Sequence, residues 1–317
     1  MKIFYFLLLL LGCTAMAQNG FITKWRTYTP NQTVTVPITS SEDTNYSIDF
    51  GDGTILTDQT GAATHTYALA GDYLVEINGT LDRINFGDYP NMVSNIISVE
   101  QWGSTAWSSM NQAFKNCYQL NITAADVPDL SQVTDMSFMF FDLNMELTTA
   151  FNINDWDVSN VQTMESMFEK ARYFNQPLHN WDVSNVTNMK NMFAYDLEFN
   201  QDLSAWDMSG VENMDGMFFF THFNQPLDAW DVSGANTMNG MFAYSSYNQP
   251  LNSWDVSNVT NTGGMFAGND YFNQPLNNWD VSGVTTMAGM FQDALNFNQP
   301  LNNWDVSHVI DMRQMFD

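Results

Sequence analysis

The stretch Phe272–Phe291, "FNQPLNNWDVSGVTTMAGMF", decides how the chain is read. Close copies begin at Phe174 and Phe297, and the Trp of its W-D pair recurs at 156, 181, 206, 230, 254, 279 and 304. The steps are 24 or 25 residues. Repeats of that length are supersecondary units that bury their apolar faces only against one another. From each Trp to the Phe of "MF" is always 12 residues, as from Trp181 to Phe193 or from Trp279 to Phe291. Length varies only after that Phe: five residues in "EKARY", "AYDLE", "AGNDY" and "QDALN", four in "FFTH" and "AYSS". Loops tolerate insertions, so this segment is the loop and the constant 12 residues hold the packed elements.

Within one unit, Leu276, Trp279, Val281 and Val284 follow an L-x-x-apolar-x-apolar-x-x-apolar pattern. Trp279 and Val281 alternate with period two, which predicts a short strand with both side chains inward. Val284, Met287, Met290 and Phe291 recur at 0, +3, +6 and +7, which predicts one face of a short helix capped by Ser282 or Thr285. "FNQP" makes the return, with Phe272 as a wedge, Asn273 and Gln274 bonding backbone, and Pro275 ending regular structure. The expected fold class is an α/β repeat solenoid, leucine-rich-repeat-like, with short parallel strands plus short helices. Degenerate copies end at Phe114 and Phe140, and a first strand lies near Ile97. About nine repeats of 24–28 residues then fill 95–317. The last one stops at Asp317 directly after its helix, so either the chain continues or a partner covers that end.

"NQPLNNWDVSNVTNMxxMF" resembles the 25-residue repeat of BspA-like leucine-rich-repeat bacterial surface proteins, also called the mycoplasma lipoprotein repeat. The resemblance covers more than half the chain. It implies export or surface attachment and, for several members, adhesion, and it supplies no catalytic residues. Trp stands here where that repeat commonly has Leu or Phe.

Residues 1–17, "MKIFYFLLLLLGCTAMA", read as a secretory signal peptide: Lys2, an apolar run from Ile3 to Leu11, and an A-x-A cleavage site ending at Ala17. The stretch Leu10–Cys13 also resembles a lipobox, which would make Cys13 a lipid anchor instead. No other apolar run is long enough to span a bilayer, so the expected location is extracellular or at the cell surface. Residues 18–80 alternate apolar and polar in "TVTVPI", "YSIDFGDG" and "YLVEING", which predicts a small β-sandwich. "DFGDG" (Asp49–Gly53), "HTY" (His65–Tyr67) and "AGDYLVEI" (Ala70–Ile77) resemble the PKD-type module, in which such residues build turns and strands. Residues 81–94 then read as a linker to the repeats.

Thirty-five acidic residues against nine lysines and arginines give a net charge of −26, which excludes nucleic acid as a partner. An extracellular protein or a polysaccharide remains, and oligomeric state is not legible. Cys117, the one cysteine beyond the signal segment, has apolar neighbours at helical spacing and reads as a buried thiol.

Two sets of residues are candidates for binding. The first is the Asp after each Trp: Asp157, Asp182, Asp207, Asp231, Asp255, Asp280 and Asp305. On stacked strands about 4.8 Å apart, adjacent carboxylates would repel by roughly 1 kcal/mol in water and roughly 3–4 kcal/mol at an effective dielectric of 20. Either the column binds calcium or another cation, or each Asp accepts hydrogen bonds within its own "DVS" turn. Calcium is the one cofactor in view. The second set is the aromatic residues of the loops: Tyr173, Tyr195, Phe220, Tyr244 and Tyr271, a residue type enriched where surfaces bind partners. The paired methionines read as core filling. His65, His179, His222 and His308 share no metal spacing, and no G-x-S-x-G, H-E-x-x-H or P-loop is present. The expectation is a non-enzyme, an adhesin or interaction scaffold, with carbohydrate capture as the alternative.

Overall fold

The computed structural model describes residues 20–144 and 152–317. Residues 1–17, expected from the sequence to be a signal peptide, lie with Cys13 and Ala17 outside the described residues.

Alternating side chains build the N-terminal part. In β1 (Phe21–Thr27), Phe21, Thr23, Trp25 and Thr27 are buried and the residues between them are not. β1 lies in a six-stranded sheet of order β4-β3-β6-β1-β7-β8. Its other strands are β3 (Asn45–Asp49), β4 (Ile55–Gln59), β6 (Gly71–Thr80), β7 (Ile96–Gln101) and β8 (Asn121–Ile122). β2 (Gln32–Val36) and β5 (Ala63–Tyr67) form a separate antiparallel pair. Val34, Val36 and Tyr67 of that pair share one core with Trp25, Ile48 and Val75 of the large sheet. The β3–β4 turn needs glycine. Gly51 has φ +78°, and a Cβ there would collide with the Leu74 carbonyl oxygen. Asp49 accepts from the Gly51 N–H at 2.8 Å and Asp52 from the Thr54 N–H at 3.0 Å, which closes the turn.

Residues 81–94 bury Leu81, Ile84, Phe86 and Val93 in the same core. β7 then pairs antiparallel with β1, and β8 pairs parallel with β7. The large sheet thus runs directly into the repeats.

The repeats do not fold as the expected α/β solenoid of strands and helices. Among the described residues there is no α-helix, and no strand follows β8. Both predicted elements of the unit are turns. The segment expected as a strand is bent by two of them: the Trp181 N–H donates to Leu178 O at 3.1 Å, and Val186 N–H to Val183 O at 2.9 Å. Trp181 and Val183 still point inward with Asp182 outward, because the chain is extended between those bends.

The segment expected as a helix is a chain of i→i+3 turns. Met167 donates to Met164, Glu169 to Ser166, and Ala171 to Phe168, at 2.9–3.2 Å. Two residues per copy hold left-handed backbone: Ser166, Asn191, Gly216, Gly240, Gly264 and Gly289 two before the Phe, and Lys170, Tyr195, Phe220, Tyr244, Gly268 and Asp293 two after it. Each such residue stops a right-handed run after one turn. The intervening N–H groups bond to the next copy instead. Met164, Ser166, Phe168 and Lys170 donate to the carbonyls of Asn188, Lys190, Met192 and Ala194 at 2.8–2.9 Å. Turns closing every three residues place 0, +3, +6 and +7 on one side, which is why the sequence imitates a helix.

Copies stack through one line of parallel bridges, Asp135–Thr163–Asn188–Asn213–Thr237–Asn261–Thr286–Asp311. The interior is columnar. Rings of Phe168, Phe193, Phe218, Phe242, Phe266 and Phe291 stack at 5.6–5.8 Å from copy to copy. The return-segment ring lies 4.0–4.1 Å from its own Phe in each copy from Phe174 to Phe297. The indoles of Trp181, Trp206, Trp230, Trp254, Trp279 and Trp304 each donate to a carbonyl of the preceding copy, such as Leu203 O for Trp230, at 2.7–3.0 Å. Trp therefore fills a Leu-sized role and also satisfies a buried acceptor. Asn and Gln of "NQ" do the same at the return, where Asn224 N–H donates to Asn200 Oδ1 at 2.9 Å and Gln225 Nε2 to Asn200 O at 3.2 Å.

Candidate functional site

The seven aspartates lie between a buried Trp and the next inward residue, so their carboxylates face out. Each Oδ1 accepts the N–H of the Ser two residues on, at 3.0–3.1 Å. In Asp157, Asp182 and Asp207 the same Oδ1 also accepts the Ser hydroxyl at 2.6 Å. These bonds hold the carboxyl groups of Asp157, Asp182, Asp231, Asp280 and Asp305 below their ordinary pKa, the Ser hydroxyl contributing most and the Ser N–H next. The neighbouring carboxylate pushes the other way at Asp182 and Asp280 and loses. At Asp182 and Asp280 local hydrogen bonds thus outweigh the repulsion of the neighbouring carboxylate. Among the described residues no group of three or more His, Cys, Asp or Glu is placed to hold a metal ion.

The loop edge is a different surface. Phe220 and Tyr244 sit two residues after the repeat Phe, in the left-handed position, which turns their rings out of the core. Tyr195 holds the same place and packs at 5.6 Å on Phe220 and 5.1 Å on Phe219. Tyr173 and Tyr271 sit five residues after their Phe and are 49% and 60% exposed. Phe220, Tyr244 and Tyr271 come together around one cleft of about 170 Å³, whereas Tyr173, Tyr195 and the seven aspartates lie outside it. The cleft also takes in Leu197, His222 and Asp270, which the repeat pattern did not single out. Gly268 lets the Tyr244 ring lie across the next copy, since a Cβ there would collide with that ring.

Beneath this edge runs a row of buried loop residues three after each Phe: Ala171, Asp196, Thr221, Ser245, Asn269 and Ala294. The Thr221 hydroxyl donates to Phe218 O at 2.9 Å and the Ser245 hydroxyl to Phe242 O at 2.8 Å. Asn269 Oδ1 accepts from the N–H groups of Tyr271 and Phe272 at 3.0 and 3.1 Å, which fixes Tyr271 on the cleft. Asp196 is wholly buried, and burial pushes its carboxyl pKa well above the ordinary value. Polar residues recurring three positions beyond the Phe, where Ala171 and Ala294 stand in other copies, were the signal for this row.

Other titratable groups have structural surroundings. His65 Nε2 lies 2.8 Å from Asp52 Oδ2 and its ring stacks 4.7 Å from Phe50. Cys117 is buried and burial pushes its thiol pKa up, which removes it as a nucleophile.

The family described as "Mycoplasma protein of unknown function, DUF285" matches residues 108–227 and 219–317. The chain belongs to that family. Its matched residues span the stacked copies, including the cleft. The PKD domain matches residues 25–83, from within β1 to just beyond β6. No curated protein and no solved structure matches the chain. Among the described residues no helix is long and apolar enough to cross a membrane.

Proposed function

We propose that this is an exported surface protein that adheres to an extracellular partner through the loop edge of its stacked copies. The observation that carries this reading is the placement of Tyr173, Tyr195, Phe220, Tyr244 and Tyr271, large rings held out of the core on successive copies. Exposed tyrosine and phenylalanine are residue types enriched where surfaces bind partners. The signal-like N-terminus, the PKD domain and the resemblance to BspA-like surface repeats support export and a place at the cell surface. The column supplies a rigid scaffold and the loops supply contacts, which is the usual division between core and binding residues. The edge is read here as a binding surface.

The test is binding of the purified mature protein to arrays of extracellular proteins and glycans, with a Tyr173→Ser, Tyr195→Asn, Phe220→Asn, Tyr244→Asn, Tyr271→Ser variant alongside. Protein ligands lost by that variant, at unchanged melting temperature, support the reading. Glycan ligands lost in the same way would assign the edge to carbohydrate capture. Ligands retained in full by the variant would remove the edge from function.

A further inference from the structure

The loop edge uses its own lysines in a consistent way where it has them. Lys170 stands two residues after its Phe, the place taken later by Phe220 and Tyr244, and its ammonium lies 5.0 Å over the Phe141 ring. Lys115 stands one residue after its Phe and lies 4.9 Å over Phe138 and 5.5 Å over Phe141. All three distances are within the range at which a cation is attracted to a ring face. Further along the stack this pairing has no internal supply. No lysine or arginine occurs between Lys190 and Arg313, while acidic residues recur throughout that stretch. In the same stretch the edge exposes Phe220, Tyr244 and Tyr271 around a cleft that Asp270 also lines.

Three aromatic residues and an acidic one lining the same cleft are the residue types that receive an organic cation. The cleft, about 170 Å³, is smaller than the roughly 300–1,000 Å³ of pockets for drug-sized ligands. One side-chain head group is the right size of occupant. The charge of the chain, −26, adds long-range attraction for a basic surface. We propose that the cleft of Phe220, Tyr244, Tyr271 and Asp270 takes an arginine side chain from a basic protein partner, with the guanidinium on the rings and paired to Asp270. Arginine is preferred over lysine because its planar, weakly hydrated head stacks on aromatic faces and meets a carboxylate with two N–H groups. The inference rests on the adhesive role of the loop edge and names the chemistry of the partner.

The probe is fluorescein-labelled hexa-arginine, with hexa-lysine beside it, titrated at about 0.15 M salt, where surface attraction beyond about 8 Å is largely screened. Hexa-arginine should bind more tightly than hexa-lysine. Tyr244→Asn and Tyr271→Ser should each weaken it by about two- to fivefold, the range for one exposed cation–ring contact, and together by about 4- to 25-fold. Asn is chosen at 244 because it tolerates the left-handed backbone there. Asp270→Asn should weaken binding more than Asp231→Asn, a carboxylate outside the cleft. The melting temperature of each variant confirms that it is folded. Equal losses for Asp270→Asn and Asp231→Asn, with no effect of the ring variants, would overturn the proposal in favour of diffuse attraction. Absence of hexa-arginine binding would also overturn it. If the five-residue edge variant still loses protein ligands in that case, adhesion through the edge stands and only the arginine assignment fails.

Discussion

Replacing Asp196 by Asn should stabilise the protein at neutral pH and have little effect in acid. Asp196 occupies the buried loop position that Asn269 occupies three copies later. Asn269 shows what an amide does there. Besides accepting two N–H groups, its Nδ2 donates to Ser245 Oγ at 3.2 Å and to Tyr247 O at 3.1 Å. Both carboxyl oxygens of Asp196 are buried without a hydrogen-bond partner, and an Asn there should donate to Phe174 O, the equivalent of Tyr247 O, with the N–H groups of Glu198 and Phe199 nearby. Asp cannot donate unless it is protonated, and burial raises its folded pKa well above the ordinary value. The sign follows from linkage. Above the unfolded pKa of about 3.9 the unfolded chain gives up the proton while the folded chain resists. The native state then binds more protons, and stability falls as pH rises, by at most about 1.4 kcal/mol per pH unit for one group. Below that pH both states are protonated and the penalty is absent. Removing an imperfectly satisfied buried polar group is worth about 1–3 kcal/mol, so Asp196→Asn should gain that at pH 7.5 and nearly nothing at pH 3.5. Urea unfolding of both proteins at the two pH values reads this directly. An equal gain at both would mean that packing, not ionisation, separates the two side chains. A loss at pH 7.5 would mean that the N–H groups of Glu198 and Phe199 hold a carboxylate there in comfort.

The exposed aspartates predict the opposite slope. Their pKa values are depressed in the folded state, so their contribution is full above the unfolded pKa and is lost as pH falls through the folded values; the thermal midpoint should drop steeply below about pH 4, and less steeply in an Asp157→Ser, Asp182→Ser double variant. Trp230→Phe keeps the ring column but leaves Leu203 O without its indole donor, and should cost about 1–3 kcal/mol in urea unfolding; Trp230→Ala also opens a cavity and should cost about 3–5 kcal/mol. Calcium at millimolar concentration should leave the thermal midpoint unchanged, because each column carboxylate is already bonded to its own Ser; a rise in differential scanning calorimetry would assign the column to cation binding.

The repeat period, the inward set and the loop were legible because stacking demands the same buried residues at the same places. The local structure was misread for a physical reason. A chain of i→i+3 turns buries nearly the same positions as a helix, so the apolar pattern of Val284, Met287, Met290 and Phe291 could not separate them. Gly216, Gly240, Gly264 and Gly289 could have done so. Glycine inside a helix costs about 1 kcal/mol relative to Ala, and its return at one place in four copies marks a left-handed backbone instead. The strand was misplaced because the bridging residues, Thr163, Asn188 and their equivalents, are polar and half-buried, whereas the inward Trp and Val sit between bends. The exposed rings were legible from their place in the variable loop. Their gathering at Phe220, Tyr244 and Tyr271 was not, because it depends on one four-residue loop beside a five-residue one and on the space at Gly268.

Neighbouring copies meet through nearly the same donors, acceptors and rings, so the junction between any two is close to the junction between any other two. Removing one whole period leaves two faces that fit, while removing half of one leaves none. Copy number is therefore a quantity that recombination within the gene can raise or lower at small structural cost. Because the loop edge grows with it, the length of exposed edge is set by copy number.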